Sequence, residues 1–259
     1  MAVTAIFVSI FANCNNAQKK MPRTTGDGIT GVEVYYNWEL FSPEQNGILR
    51  RKDSFDIFYI GENTIYRLGT EYVANKVHVA DDGELITDSI LTKEIKYKYF
   101  VFTNSDTDGF LFDSLQDTKP KQREIKSYLA SKLSFSETMF STDKYKRTES
   151  LILHNGDIFE AYSSAPKIDE SYPDSLYYYF SDTLRNVDFT FSRSQDSLKQ
   201  KKLVKAIFLF NTYKHEGLSM QIPRRELVFA LRPVSTKSLT DITVIISSYN
   251  ALRAGKMPD

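Results

Sequence analysis

The run Asn104-Ser105-Asp106-Thr107-Asp108-Gly109 carries the sharpest local chemical signal in this 259-residue chain. Oxygen-bearing side chains at alternate positions, followed by glycine, match the first half of a calcium loop, where carboxylates and amides converge on a hard cation. Asn104, Asp106 and Asp108 are the candidate ligands. The twelfth position is Leu115 rather than a bidentate Glu, and Asp113 is out of register. The same composition also suits a plain hairpin turn. The histidines are His78, His154 and His215. None stands in H-E-x-x-H, because Gly217, Leu218 and Ser219 follow His215-Glu216. The strand carboxylates Glu33, Glu39 and Asp56 have no spacing in the chain that marks a glycosidase pair, which is defined in three dimensions. No P-loop and no G-x-S-x-G elbow occurs. Gly26-Asp27-Gly28-Ile29-Thr30-Gly31 spells G-x-G-x-x-G, but it follows a polar stretch and opens a strand. A dinucleotide fingerprint follows a strand and opens a helix. The residues therefore name no catalytic site and no cofactor apart from the calcium candidate.

A second pattern recurs. Asp88-Ser89-Ile90, Asp113-Ser114-Leu115, Asp174-Ser175-Leu176, Asp182-Thr183-Leu184 and Asp196-Ser197-Leu198 all read Asp, hydroxyl, apolar. This resembles the O-glycosylation sequon of exported Bacteroidota proteins. The resemblance makes Ser89, Ser114, Ser175, Thr183 and Ser197 candidate acceptors. Asp-Ser steps also end turns for local hydrogen-bonding reasons.

The only cysteine, Cys14, sits just after the apolar stretch 1–12. That stretch is too short to span a bilayer as a helix and has the length of a signal-peptide core, although it lacks a basic start. Cleavage after Ala17 would leave Gln18 first. Alternatively, Phe11-Ala12-Asn13-Cys14 acts as a lipobox, with Cys14 acylated and the protein held at a membrane through that anchor alone. A single cysteine excludes an intrachain disulfide and a cysteine-based metal cluster. Lys+Arg and Asp+Glu number 33 each, giving zero net charge and no basic excess for nucleic acid.

The elements that must position these residues are mostly strands. From Gly31, Val32, Val34, Tyr36, Trp38 and Leu40 share one face, with Glu33, Tyr35, Asn37 and Glu39 on the other. Hairpins are expected for 55–60 with 64–68, for 76–80 with 84–87, and around His154-Asn155-Gly156-Asp157. There Asn-Gly predicts a type I′ turn, with both central residues at positive φ. A long strand is expected at 94–103, turning into 110–112. Further strands are expected at 176–180, 187–192, 203–213, 226–232 and 240–249. One helix is expected within 119–133, with Ile125, Tyr128, Leu129 and Leu133 on one face, Asp117 or Thr118 as cap and Pro120 in the first turn. The aromatic runs 97–102, 177–180 and 208–210 place rings on both faces of their strands, either as two-sided packing or as the lining of an apolar cavity.

The expected fold is mostly β, with α+β as the alternative. It is an antiparallel sheet of about a dozen strands, as an open barrel or a two-layer sandwich, with one central helix near 119–133. The organisation is a leader at 1–17, a polar tether at 18–30, one β-rich domain at 31–250 and a polar tail at 251–259. The general texture is similar to that of uncharacterised Bacteroidota envelope proteins. The GLPGLI hexapeptide of one such family is absent, and no family is assigned. The expected role is an exported envelope protein, periplasmic or anchored at the outer membrane. It acts as a non-catalytic binding or assembly module, with an unknown envelope protein or an apolar ligand as partner. A hydrolase with a site formed only in the fold, and a lipid carrier, are the alternatives.

Overall fold

A computed structural model describes residues 29–42, 47–79, 85–132, 135–164, 172–215, 220–234 and 239–255, with backbone alone for 73–79, 85–93 and 215. Cys14, the leader, the tether up to residue 28, Leu133, the 81–83 turn and the tail beyond residue 255 lie outside the described residues.

Two antiparallel meanders join edge to edge. The first is β1 (Thr30–Ser42), β2 (Gly47–Ile60), β3 (Asn63–Val79), β4 (Leu85–Thr103), β5 (Asp108–Phe112) and β6 (Lys121–Glu124). The second is β7 (Lys146–Ile152), β8 (Ile158–Ser163), β9 (Ser175–Ser181) and β10 (Lys202–Phe210), with β13 (Arg225–Pro233) added beside β10. β13 also pairs with β1, giving an 11-stranded sheet ordered β6-β5-β4-β3-β2-β1-β13-β10-β9-β8-β7 that does not close into a barrel. Between β10 and β13 the chain forms a separate hairpin of β11 (Tyr213–His215) and β12 (Met220–Ile222). The mostly β, antiparallel expectation holds.

The expected turns form with altered detail. Gly61, at φ +56°, is the first central residue of the two-residue turn closed by the Ile60↔Asn63 pair, the place where a II′ turn needs glycine. At 154–157 only Gly156 has positive φ, at +79°. Its N–H donates to the Leu153 carbonyl at 2.9 Å. This is a three-residue loop, a tight turn followed by a left-handed glycine, rather than type I′.

Helix placement corrects the sequence reading in three ways. First, residues 121–124 form edge strand β6, and the expected helix begins only at α1 (Ile125–Lys132). Its cap is the Glu124 carboxylate, which accepts the Ser127 N–H, while Asp117 instead accepts N–H groups of Asp113 and Lys119. The helix is peripheral rather than central: Ile125, Tyr128 and Leu129 pack partly buried against the core from the β6 end. Second, 187–192 pairs with no strand. Val187, Phe189 and Phe191 keep the alternating burial of a strand but lead into α2 (Arg193–Lys199), capped by Ser192. Third, 240–249 is not a strand but part of α3 (Thr240–Arg253). Its β-branched residues favour extended backbone, yet Ile242, Ile245, Ile246 and Tyr249 repeat at helical spacing, and burying that stripe outweighs propensity.

The sheet is covered on both faces, unequally. On one face Val34, Tyr36, Ile57, Phe100, Tyr178, Phe180, Phe208 and Phe229 form the larger core, covered by 135–145 and 182–200. Phe135, Phe140 and Phe191 descend from those segments onto Phe229 at centroid distances of 5.3–5.9 Å, mostly edge to face, as aromatic quadrupoles prefer. On the opposite face α3 covers only β2 to β5, where Phe58, Ile65, Tyr99, Val101 and Phe112 meet Leu239, Ile242, Ile245 and Tyr249.

Candidate binding groove on the open sheet face

Period-2 alternation and strand register together determine what the half of the sheet beyond α3 presents. One row crosses six strands through paired residues: Tyr35 on β1, Ala230 on β13, Lys205 on β10, Tyr179 on β9, Phe159 on β8 and Leu151 on β7. The next row is Asn37, Val228, Ile207, Tyr177, Ala161 and Glu149. The same β9 run that sends Tyr178 and Phe180 into the core thus sends Tyr177 and Tyr179 to the other face, where they remain half-buried.

Side-chain size along these rows creates a groove. Ala230 and Val228 form a low floor on β13. Tyr35 and Asn37 rise on the β1 side, Lys205 and Tyr179 on the far side. A bulge in β10 between Leu203 and Lys205 brings Val204 into the lining as well. Asp157 and Arg232 complete a cleft of about 560 Å³, within the roughly 300–1,000 Å³ typical of small-molecule sites. From β1 to β10 is two strand spacings, about 9–10 Å, so the floor admits one extended chain lying along β13.

The walls are charged as well as aromatic. The Arg232 guanidinium lies 4.2 Å from the Tyr35 ring centre, and its Nη1 lies 3.5 Å from Glu33 Oε2. Lys205 Nζ stands 5.2 Å from the Tyr179 ring centre. Phe159 extends the aromatic surface, 5.1 Å from Tyr179 and 6.3 Å from Tyr177. The Asn37 amide oxygen is buried in the wall and meets no hydrogen-bond donor among the described residues.

No protein-family model matches the chain, and no curated protein matches its sequence.

The groove stays uncovered by α3 because that helix is clamped elsewhere. Arg67 on β3 donates to Asp56 on β2 at 2.7 Å and to Asp241 in the first turn of α3 at 2.9 Å. The Tyr99 hydroxyl donates to the same Asp241 oxygen at 3.0 Å. Burial first, and then the Asp241 charge and hydrogen bond, push the Tyr99 phenol above its ordinary value. At the other end Tyr249 meets Thr103 at 3.0 Å, and Arg253 reaches Asp106 at 3.2 Å.

The candidate calcium ligands are held by different partners. Asn104 Oδ1 accepts from Thr64 Oγ1 at 2.9 Å, Asp106 pairs with Arg253, and Asp108 accepts from Thr107 at 3.3 Å. Gly109 lies in β5, and a Cβ there would stand 2.7 Å from the Phe100 ring. Close packing therefore gives this glycine a purpose without any cation. Among the described residues, no three His, Cys, Asp or Glu side chains gather as a metal site. Of the candidate glycosylation positions, Ser114, Thr183 and Ser197 are exposed, Ser175 is half-buried at the start of β9, and Ser89 lies in β4 with its side chain outside the described residues. His154 is exposed at its hairpin tip, beside an Asn155–Asp157 hydrogen bond of 2.7 Å. His78 and His215 lie in β3 and β11, their side chains not described.

Sequence reasoning missed one buried carboxylate. Glu160 on β8 is 1% exposed and accepts from Tyr162 at 2.5 Å, Lys199 at 2.7 Å and Arg147 at 2.8 Å. Burial alone would raise its pKa; these donors outweigh that and hold it below the usual glutamate value. It lies on the core face, away from the groove, and ties α2 to β7 and β8. The alternation Ile158, Glu160, Tyr162 was the available signal, a charge placed at a core position.

Proposed function

We propose that this chain is an exported envelope protein that binds a ligand on the open half of its sheet without transforming it. The observation that carries this reading is the groove over Val228 and Ala230, a concave aromatic and cationic surface built on a filled core. An internal carrier would need space between the sheet and its covering segments. There Phe135, Phe140, Phe191, Phe208 and Phe229 stack against one another instead. The charged, solvent-open walls also suit a polar ligand better than an acyl chain, whose apolar surface would leave Lys205 and Arg232 facing hydrocarbon. Export rests on the apolar stretch 1–12 and Cys14.

The test is a photo-crosslinking residue placed at Val228 and, as a control, at Gln122 on edge strand β6, each in the full chain in its native cells. The expected result is a discrete adduct from position 228 with an envelope component and none from position 122. Equal labelling from both positions, or none from 228, refutes the reading. Cell fractionation with intact-mass measurement tests export separately: a lipid mass increment lost in Cys14→Ala supports the anchor, and an unprocessed cytoplasmic chain overturns export.

A further inference from the structure

We infer that the groove takes an acidic glycan, with a sugar carboxylate at Lys205 and sugar rings lying along β13 between Tyr35 and Tyr179. This rests on the open-face reading above and names the chemistry of its ligand.

Three features select that chemistry. The first is charge. Lys205, beside Ala230 on β10, and Arg232, two residues further along β13, both line the cleft, with Asp157 as the lining carboxylate. Arg232 is already shared with Glu33, and Asp157 is engaged by Asn155. Lys205 has a ring beside it and no carboxylate within ion-pair distance among the described residues. An ammonium poised over an aromatic face is partly desolvated and gains most from an incoming anion. Lys205 thus offers an acid group a cation that no carboxylate of the described residues holds.

The second is hydrogen bonding. The buried Asn37 oxygen has no donor among the described residues, so no contact among them fixes the orientation of this amide through its oxygen. Rotated by half a turn, the amide offers that oxygen to the groove as an acceptor; as it stands, it offers its NH₂. A chain of hydroxyls, each both donor and acceptor, satisfies either orientation. The phenolic hydroxyls of Tyr35 and Tyr179 have the same dual capacity.

The third is shape and scale. The binding surface is a sheet face, whose backbone groups are already spent on the ladder, so an extended peptide would find none of the main-chain hydrogen bonds that a sheet edge gives it. The 560 Å³ cleft fits a small molecule or a short stretch of polymer. A folded partner would need roughly 800 Å² of buried surface on each side. A pyranose ring has a flat C–H face for the tyrosines and a rim of hydroxyls for Asn37 and Lys205, and a uronic acid adds the carboxylate.

The experiment is calorimetric titration of the full chain with oligogalacturonate of three to six sugars. Neutral oligogalactose of the same length, oligoglutamate and phosphatidylglycerol vesicles serve as comparison probes. The expected result is saturable binding of oligogalacturonate that outranks all three. Lys205→Met should weaken it roughly tenfold, the scale of one charge-assisted hydrogen bond. Ala230→Trp, which fills the floor, should abolish it. Circular dichroism and a retained Lys205→Met melting point show that the weakening is not unfolding, and Asn37→Leu supplies a second weakened variant if the tryptophan disturbs folding. Equal binding of the neutral oligosaccharide, unaffected by Lys205→Met, overturns the acid requirement. Tighter binding of oligoglutamate or vesicles, lost in the same variants, overturns the glycan and leaves the open-face reading standing. Absence of binding by every probe, with the Val228 crosslink still formed, does the same. Absence of both removes the open-face reading itself.

Discussion

One face of one sheet is finished in two ways. Over β2 to β5, α3 seals Phe58, Ile65 and Val101 against Ile242 and Ile245, all fully buried. Over β1, β13, β10, β9 and β8, Tyr35, Lys205, Ile207, Tyr177 and Tyr179 remain half-exposed. The difference is already in the side chains. The sealed half carries mostly aliphatic groups and phenylalanine, which gain only by leaving water, and the hydroxyls of its Tyr99 and Tyr249 meet partners of the protein, Asp241 and Thr103. The open half carries tyrosines beside Lys and Arg, whose polar ends stay wet while their rings and stems pack. An uncovered face of this composition is stable by itself and still offers contact area to a ligand.

The largest test of that contrast applies one truncation to both halves. Ile245→Ala should cost about 2–4 kcal/mol, because it opens a cavity under α3. Ile207→Ala on the open half should cost about 1 kcal/mol or less, since solvent already reaches that side chain. Equilibrium urea unfolding measures both, and equal losses would break the distinction. Next in size is the clamp. Arg67→Met leaves Asp56 and Asp241 without their shared cation and should cost about 1–3 kcal/mol. Hydrogen exchange should then quicken in α3 while the β9–β10 amides keep their protection.

A smaller effect is expected with pH. Because the folded state raises the Tyr99 phenol above its unfolded value of 10.0, the stability it contributes is complete below that pH and is lost as the pH rises through the higher folded value. Unfolding titrations above pH 10 should therefore show a shallower alkaline decline for Tyr99→Phe than for the unaltered chain. Acid titration has the opposite sign. Asp113, held by Lys121 and Lys98, falls to about 2, so its contribution is present above its ordinary 3.8 and fades as the pH drops toward 2. Asp113→Asn should flatten that limb slightly, given how exposed the group is. Smallest of all, Lys205→Met should shift stability by no more than about 0.5 kcal/mol. A larger loss would mean that Lys205 supports the fold.

Local patterns revealed the strands and not their neighbours. The alternation in 31–40 correctly set Tyr35 and Asn37 apart from Val34 and Tyr36. The hairpin joining 55–60 to 64–68 was legible because both strands and their turn lie within fifteen residues. The groove was not legible, since its floor comes from β13 and its walls from β1 and β10, and no periodicity within a segment states that Ala230 lies between Tyr35 and Lys205. The helix α3 was hidden by a local conflict: Ile, Thr and Val favour strands, and the helical spacing of the stripe prevails only once there is a sheet for it to cover. Residues 187–192 show the converse, with alternating burial and no ladder, because Phe189 and Phe191 insert into the core as a covering layer.

The seam between the two meanders has a consequence for how the chain acquires its shape. Val32 pairs with Pro233 and Trp38 with Leu227, so the first strand of the sheet waits for the last. During synthesis β1 can dock on β2 at once, but its outer edge lacks the β13 partner until about two hundred further residues have emerged, the span from Val32 to Pro233. Contacts so distant in sequence slow folding, and an unpaired edge is open to other chains in the meantime. The step that joins β1 to β13 is therefore expected to limit the rate of folding, and to be the point at which a crowded chain aggregates instead of closing its sheet.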